Sequence, residues 1–197
     1  MARAAKTDAA PRERLMKAAE LFYTEGIRAV GINRVLEEAR APIMSLYRIY
    51  GSKEGLVEAF LADKDKRVRA MFEREVELIA DTPRERVLAM FDVLGQLVSG
   101  ADYRGCAFIN AAVEMADPDH PFVGIAVAHK EFVREAFSRY LTEAGLRETE
   151  SLATQLLMLV DGVFVSAQMH SDHADTALKG RMAAEVLLNA AFEAQPN

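Results

Sequence analysis

The sequence predicts an all-α protein of about nine helices, in which an N-terminal three-helix helix-turn-helix head is joined to a larger helical body. Three observations carry that expectation. Apolar residues recur with a period near 3.6 along most of the 197 residues. Glycine (11) and proline (6) are few, and β-branched runs are scarce. Good helix formers dominate the remainder, and no stretch alternates as a half-buried strand does. At 51% hydrophobic residues the chain carries enough apolar surface for a sizeable core.

Residues 1–10, rich in Ala, Lys and Arg, read as a flexible arm. Pro11 suits a first helical turn. Leu15, Ala18, Ala19 and Phe22 then fall at i, i+3, i+4 and i+7, one face of an amphipathic helix. Gly26 follows as its left-handed cap. Ile32, Val35, Leu36 and Ala39 mark a short second helix, broken before Pro42. The third runs from about Pro42 to Tyr47 or Arg48. Gly51-Ser52 stops it and caps a long fourth helix reaching about Ala80. Thr82-Pro83-Arg84-Glu85 opens a fifth with a capping box and proline in the first turn. Further helices are expected from Arg104 to Met115, Phe122 to Ala144, Leu152 to Met169 and Thr176 to Glu193. The head is placed at 11–55 and the body at 56–195.

The net charge of −6 hides an asymmetry. Residues 1–54 hold ten Lys/Arg against seven Asp/Glu, and residues 55–197 hold fourteen against twenty-three. A basic head on an acidic body fits a double-stranded DNA partner at one end only. In a helix-turn-helix the second helix of the pair enters the major groove. Here that helix offers Pro42, Ile43, Ser45, Tyr47 and Arg48. Ser45 and Tyr47 are expected to donate to phosphates, and Arg48 to reach phosphate or a guanine edge. Pro42 and Ile43 suit thymine methyl groups. Lys53 adds a phosphate contact from the next helix start, and Arg34 and Arg40 complete the basic surface. Leu46 and Tyr50 are expected to face the head's core.

Arg12-Glu13-Arg14-Leu15-Met16-Lys17-Ala18-Ala19-Glu20-Leu21-Phe22, then Gly26, then Leu46-Tyr47-Arg48-Ile49-Tyr50-Gly51-Ser52-Lys53-Glu54-Gly55-Leu56 closely resembles the N-terminal domain of the tetracycline-repressor-like (TetR/AcrR) family of bacterial transcription regulators. The stretch from Arg104 to Met115 and Pro118-Asp119-His120-Pro121 resembles one branch of it. The resemblance implies a homodimer with an N-terminal DNA reader and a C-terminal effector-binding and dimerisation domain. It implies repression relieved by a small molecule. By position Tyr47, Arg48 and Lys53 match residues that touch DNA in the family, and Ser45 sits where one often does. Three residues depart from the pattern. Arg40 stands where glycine is usual and must accept a left-handed backbone or shift the turn. Ile49 replaces a frequent histidine, and Pro42 a frequent capping serine.

On that layout the body is expected to hold an apolar effector pocket among the fourth to seventh helices of the chain. Its lining would come from Met90, Phe91, Leu94, Cys106, Phe108, Asn110, Glu114 and Met115. The last two helices would form a four-helix dimer bundle through Leu156, Val160, Val163, Phe164, Met182 and Val186. Cys106, the single thiol, reads as a small buried residue at a helix start. The alternative is a redox- or electrophile-sensing regulator built on it. His170, Asp172, His173 and Asp175 read as a solvated turn, not a metal site. No cofactor is expected. No nucleophile–base pair or phosphate loop points to an enzyme, although a helical carrier or enzyme without DNA binding is the alternative from another class. The N-terminus lacks the apolar segment of a signal peptide, and no apolar run reaches about 18 residues. The expected location is cytoplasmic, with no membrane partner.

Overall fold

The computed structural model describes residues 2–195, with side chains from Ala9 onward. These residues form ten helices: α1 (Ala2–Ala18), α2 (Leu21–Thr24), α3 (Ile32–Ala39), α4 (Ile43–Tyr50), α5 (Lys53–Ile79), α6 (Pro83–Val98), α7 (Ala107–Met115), α8 (Pro121–Glu143), α9 (Glu150–Met169) and α10 (His173–Ala194). No strand occurs among the described residues. The extra helix arises because the first predicted one is interrupted. Between α1 and α2 the bonds tighten to the i→i−3 pattern, as in Phe22 N to Ala19 O (3.0 Å) and Tyr23 N to Glu20 O (3.0 Å).

The helix ends correct the sequence reading in three further places. α1 starts at Ala2, so residues 2–10 are helical where a flexible arm is expected, and Pro11 lies inside the helix. The alanine-rich stretch outweighs the one hydrogen bond that proline removes. α7 begins at Ala107, not Arg104, because Gly105 takes φ +87°. That left-handed backbone favours glycine, and a Cβ there would also displace the Gln168 side chain, 2.5 Å away. α10 begins at His173, since Asp172 caps it by accepting from the Asp175 N–H at 3.0 Å.

Other local signals hold. Thr82 Oγ1 accepts from the Glu85 N–H (3.3 Å), and Glu85 Oε2 accepts from the Thr82 N–H (3.0 Å), closing the capping box. The bonds from Thr82 hold the Glu85 carboxyl below its ordinary value. Their contribution is therefore present at neutral pH and is lost as acid protonates that carboxyl. Arg40 takes φ 46°, ψ 47°, the left-handed conformation its place in the turn demands.

The chain divides into two compact units. One comprises residues up to Lys66 with Ala107–Ala126, and the other Arg67–Cys106 with residues from Val127 on. In the first, α1 packs on α3 and α4. Leu15, Ala18, Ala19 and Phe22 all lie in its core, as their spacing predicts, with Leu46, Leu56, Val57 and Phe60. Phe22 and Phe60 meet edge to face at 6.4 Å. Burial raises the Tyr50 phenol above its ordinary value.

In the second unit α10 packs on α6 and α9. Its core joins Phe91 and Leu94 of α6 to Phe137 of α8, Leu156, Val160 and Val163 of α9, and Ala184 and Leu188 of α10. Gly180 allows the close approach of α10, because a Cβ there would lie 2.3 Å from Val163 Cγ2. By length and mean hydropathy α9 is apolar enough to cross a bilayer. Its inward stripe is nevertheless buried in this core, and Asp161 in mid-helix pairs with Lys130. Those are the surroundings of a core helix.

Candidate nucleic-acid interface

The reading helix is set by the turn before it. The Arg40 N–H donates to Glu37 O and the Ala41 N–H to Leu36 O, each at 3.1 Å, which closes α3. Arg14 Nε donates to Ala39 O at 3.0 Å and ties that end to α1. Pro42, in extended conformation, then serves as the N-cap of α4. At 100° per residue, positions 43, 44, 47 and 48 share one side of α4, and 45, 46 and 49 the other. Burial follows that division. Leu46 is fully buried, whereas Ile43, Met44, Tyr47 and Arg48 are exposed. Pro42 and Arg40 are exposed beside them.

Three of the predicted contacts change on this geometry. Ser45 is 8% exposed and on the inner side of α4, so it does not present its hydroxyl to a phosphate. Lys53 donates its Nζ to Ile27 O at 2.6 Å and lies 5.8 Å from the centre of the Phe22 ring. Its ammonium is committed first to holding the head together. Arg34 is braced by Glu38 (3.1 Å) and Glu25 (3.6 Å), which offset its charge. Met44 was missed. At 72% exposure it is the most open apolar side chain on α4. The signal was available, because Met44 stands three residues before Tyr47 and four before Arg48, on their face.

Lys53 and Tyr47 should therefore separate on mutation. Lys53→Ala is expected to lower the stability of the head by about 1–2 kcal/mol, the scale of one charge-assisted hydrogen bond. Tyr47→Ala, at a residue 50% exposed on α4, is expected to leave the thermal midpoint within a degree or so and to weaken DNA binding. Thermal melts beside binding isotherms make the comparison. Equal midpoints for the two variants would contradict the bracing role of Lys53.

The expected effector-pocket residues fall on both units. Met90, Phe91 and Leu94 are at most 4% exposed, in the core of the second, and Cys106 is buried there at 7%. In the first unit Phe108 is buried, Asn110 is half-buried, and Met115 lines a cavity of about 220 Å3 with Ile27, Arg28, Lys53 and His120. Glu114 turns its carboxylate to the head. Its Oε1 accepts from the Ile27 N–H (3.1 Å) and its Oε2 from the Arg28 N–H (2.9 Å). Arg28 Nη2 returns a bond to Met115 O at 3.2 Å. Gly26, at φ +99°, presents those two N–H groups.

The expected dimer-interface residues also divide. Leu156, Val160 and Val163 are at most 5% exposed, packed in their own unit's core, and are unavailable to a second copy. Phe164 is half-buried, stacked on Tyr103 at 6.4 Å. Met182 and Val186 are exposed, and with Met158, Val165 and Leu178 they leave an apolar surface on α9 and α10. A groove of about 600 Å3 runs along these helices, lined by Met158, Gly162, Ser166, Lys179 and Ala183 among others. Apolar α9 fills both its faces with similar residues, so the sequence pattern could not tell core from surface. Among the described residues no three His, Cys, Asp or Glu side chains gather as a metal site.

The chain is similar to known regulatory proteins in the head and over its length. The family model for bacterial regulatory proteins of the tetR family matches residues 15–60, the span of the reading module. The HTH-type transcriptional regulator YjdC of Escherichia coli is 24% identical over 174 residues, which cover 88% of this chain and 91% of YjdC. The crystal structure of a TetR-family transcriptional regulator from Streptomyces coelicolor superposes with a TM-score of 0.87 at 28% identity, over 93% of this chain and 96% of that one. A solved structure of a double cysteine mutant of the TetR-family regulator CifR, complexed with 26-base-pair operator DNA and apo, matches with a TM-score of 0.70 at 22% identity, over 91% and 95% of the two chains. The head, which turns an exposed helix outward after a closed α3, is matched by the tetR-family model, and the chain is a DNA-binding transcriptional regulator similar over nearly its whole length to TetR-family regulators.

Proposed function

We propose that the protein is a homodimeric, cytoplasmic repressor that leaves a palindromic operator when a small molecule binds. The observation that carries the ligand response is the Glu114 clamp. α7 packs with the head through two carboxylate–amide bonds. The chain on either side of it, up to Cys106 and from Val127 on, belongs to the other unit. A displacement of α7 by an effector would therefore be felt at Ile27 and Arg28. A coupling of about 1–3 kcal/mol, typical of such devices, changes operator affinity by about 5- to 150-fold. The protein acts by binding and carries no catalytic role in this reading.

Dimerisation is supported by the exposed apolar residues of α9 and α10, since neighbouring apolar side chains left open on a surface mark protein–protein contacts. Two heads on a two-fold axis would occupy successive major grooves roughly 34–36 Å apart. The full-length protein should select a short palindrome from random duplexes. Its affinity should fall steeply between low and physiological salt. Selection of no preferred duplex, or binding indifferent to salt, would overturn the reading.

The thiol-sensing alternative is disfavoured by the burial of Cys106. Hydrogen peroxide is expected to leave operator binding of the parent protein and of Cys106→Ser alike. Release of the parent alone by peroxide would establish the thiol switch instead.

A further inference from the structure

We propose that the operator is read chiefly through thymine methyl groups, by Met44 with Ile43. The inference rests on the DNA-binding reading above and adds the chemistry of the bases recognised. Residues at the N-terminal end of a recognition helix are the ones that reach base edges. Here those are Pro42, Ile43 and Met44, and none carries a hydrogen-bonding side chain. Ile43 and Met44 are 43% and 72% exposed on the outer side of α4. Ser45, the neighbouring polar residue, is turned inward at 8% exposure. The polar groups of this face, Tyr47 and Arg48, stand one turn further along.

In the major groove every base presents a hydrogen-bonding group, but only thymine also presents an apolar one, its C5-methyl. Met44 laid against a guanine O6 or N7, or a cytosine amino group, would strip water from that group and offer no partner. Unpaired polar groups are costly, so the same side chain that favours thymine also disfavours G·C pairs. Methionine is unbranched and polarisable, and adapts to a methyl group at little steric cost. The half-site is therefore expected to carry A·T pairs beneath the first turn of α4.

Deoxyuridine lacks only the methyl, which makes the test specific. The preferred duplex is first selected with the full-length protein at near-physiological salt. Each thymine of one half-site is then replaced by deoxyuridine, and affinities are compared. At one or two positions the parent protein should lose roughly fourfold, the factor corresponding to about 0.8 kcal/mol per buried methyl group. In Met44→Ala the penalty at the thymine that Met44 covers should vanish, because its partner is gone. The exposure of Met44 means that this variant keeps its fold, which an unchanged thermal midpoint verifies. Specific binding with equal affinity for thymine and deoxyuridine at every position would overturn the methyl reading alone. Failure to select any preferred duplex would overturn the regulator reading with it.

Discussion

A Val186→Glu protein is expected to be monomeric and to lose roughly a hundredfold or more in operator affinity, the factor gained when a second site is engaged intramolecularly. Val186 is 67% exposed on α10, four residues after Met182 at 56% and eight after Leu178 at 53%, so the three share a stripe. A carboxylate there stays in water in a single protomer, and the fold is unaffected. Brought into an apolar interface it would be an unpaired buried charge, which costs several kcal/mol. Light scattering should fall to the protomer mass of 21.8 kDa, with the helical circular dichroism unchanged. A dimer that survives the substitution would place the interface elsewhere. Val160→Glu makes the contrast. Val160 is 4% exposed in its own unit's core, so that variant should unfold its unit, whatever the oligomeric state.

Removal of the Glu114 carboxylate should have the second largest effect. In Glu114→Ala the N–H groups of Ile27 and Arg28 lose a charged acceptor at 3.1 and 2.9 Å. Bonds of that kind are worth about 1.5–3 kcal/mol, and one of the two amides is exposed and can turn to water, so about 2–3 kcal/mol is expected in total. That free energy corresponds to amide exchange at Ile27 and Arg28 accelerated by roughly 30- to 150-fold. Glu114→Gln keeps the shape and one acceptor, and should fall between. If the clamp also carries the ligand response, operator affinity in Glu114→Ala should no longer respond to an effector that releases the parent protein. Unchanged exchange at both amides would show that the contact contributes nothing to the head.

The reach of the sequence differed from one residue to the next for identifiable reasons. At Arg40 the sequence leaves two choices, a left-handed backbone or a shifted turn, and the fold takes the first. The capping box at Thr82 was legible because its partners are three residues apart. Glu114 was named for the wrong task. Its partners lie 86 and 87 residues away, and no local pattern relates those positions. Lys53 looked like a phosphate contact because a cation at a helix start is usually solvated. Its carbonyl partner, Ile27, is 26 residues distant. Met44 is hard to read from sequence because an apolar residue in a helix is more often core than surface.

The amino-acid sequence by itself determined the helical class, the reading module and the closures of its helices. Those depend on periodicity and on bonds between residues a few positions apart. The tertiary structure alone decided which apolar residues of α9 and α10 are core and which are left open, which cation is tied into the head, and what the Glu114 carboxylate holds. Hydrophobicity measures the tendency of a side chain to leave water, not the surface against which it leaves it. A carboxylate finds its donors only once the chain has folded them into reach.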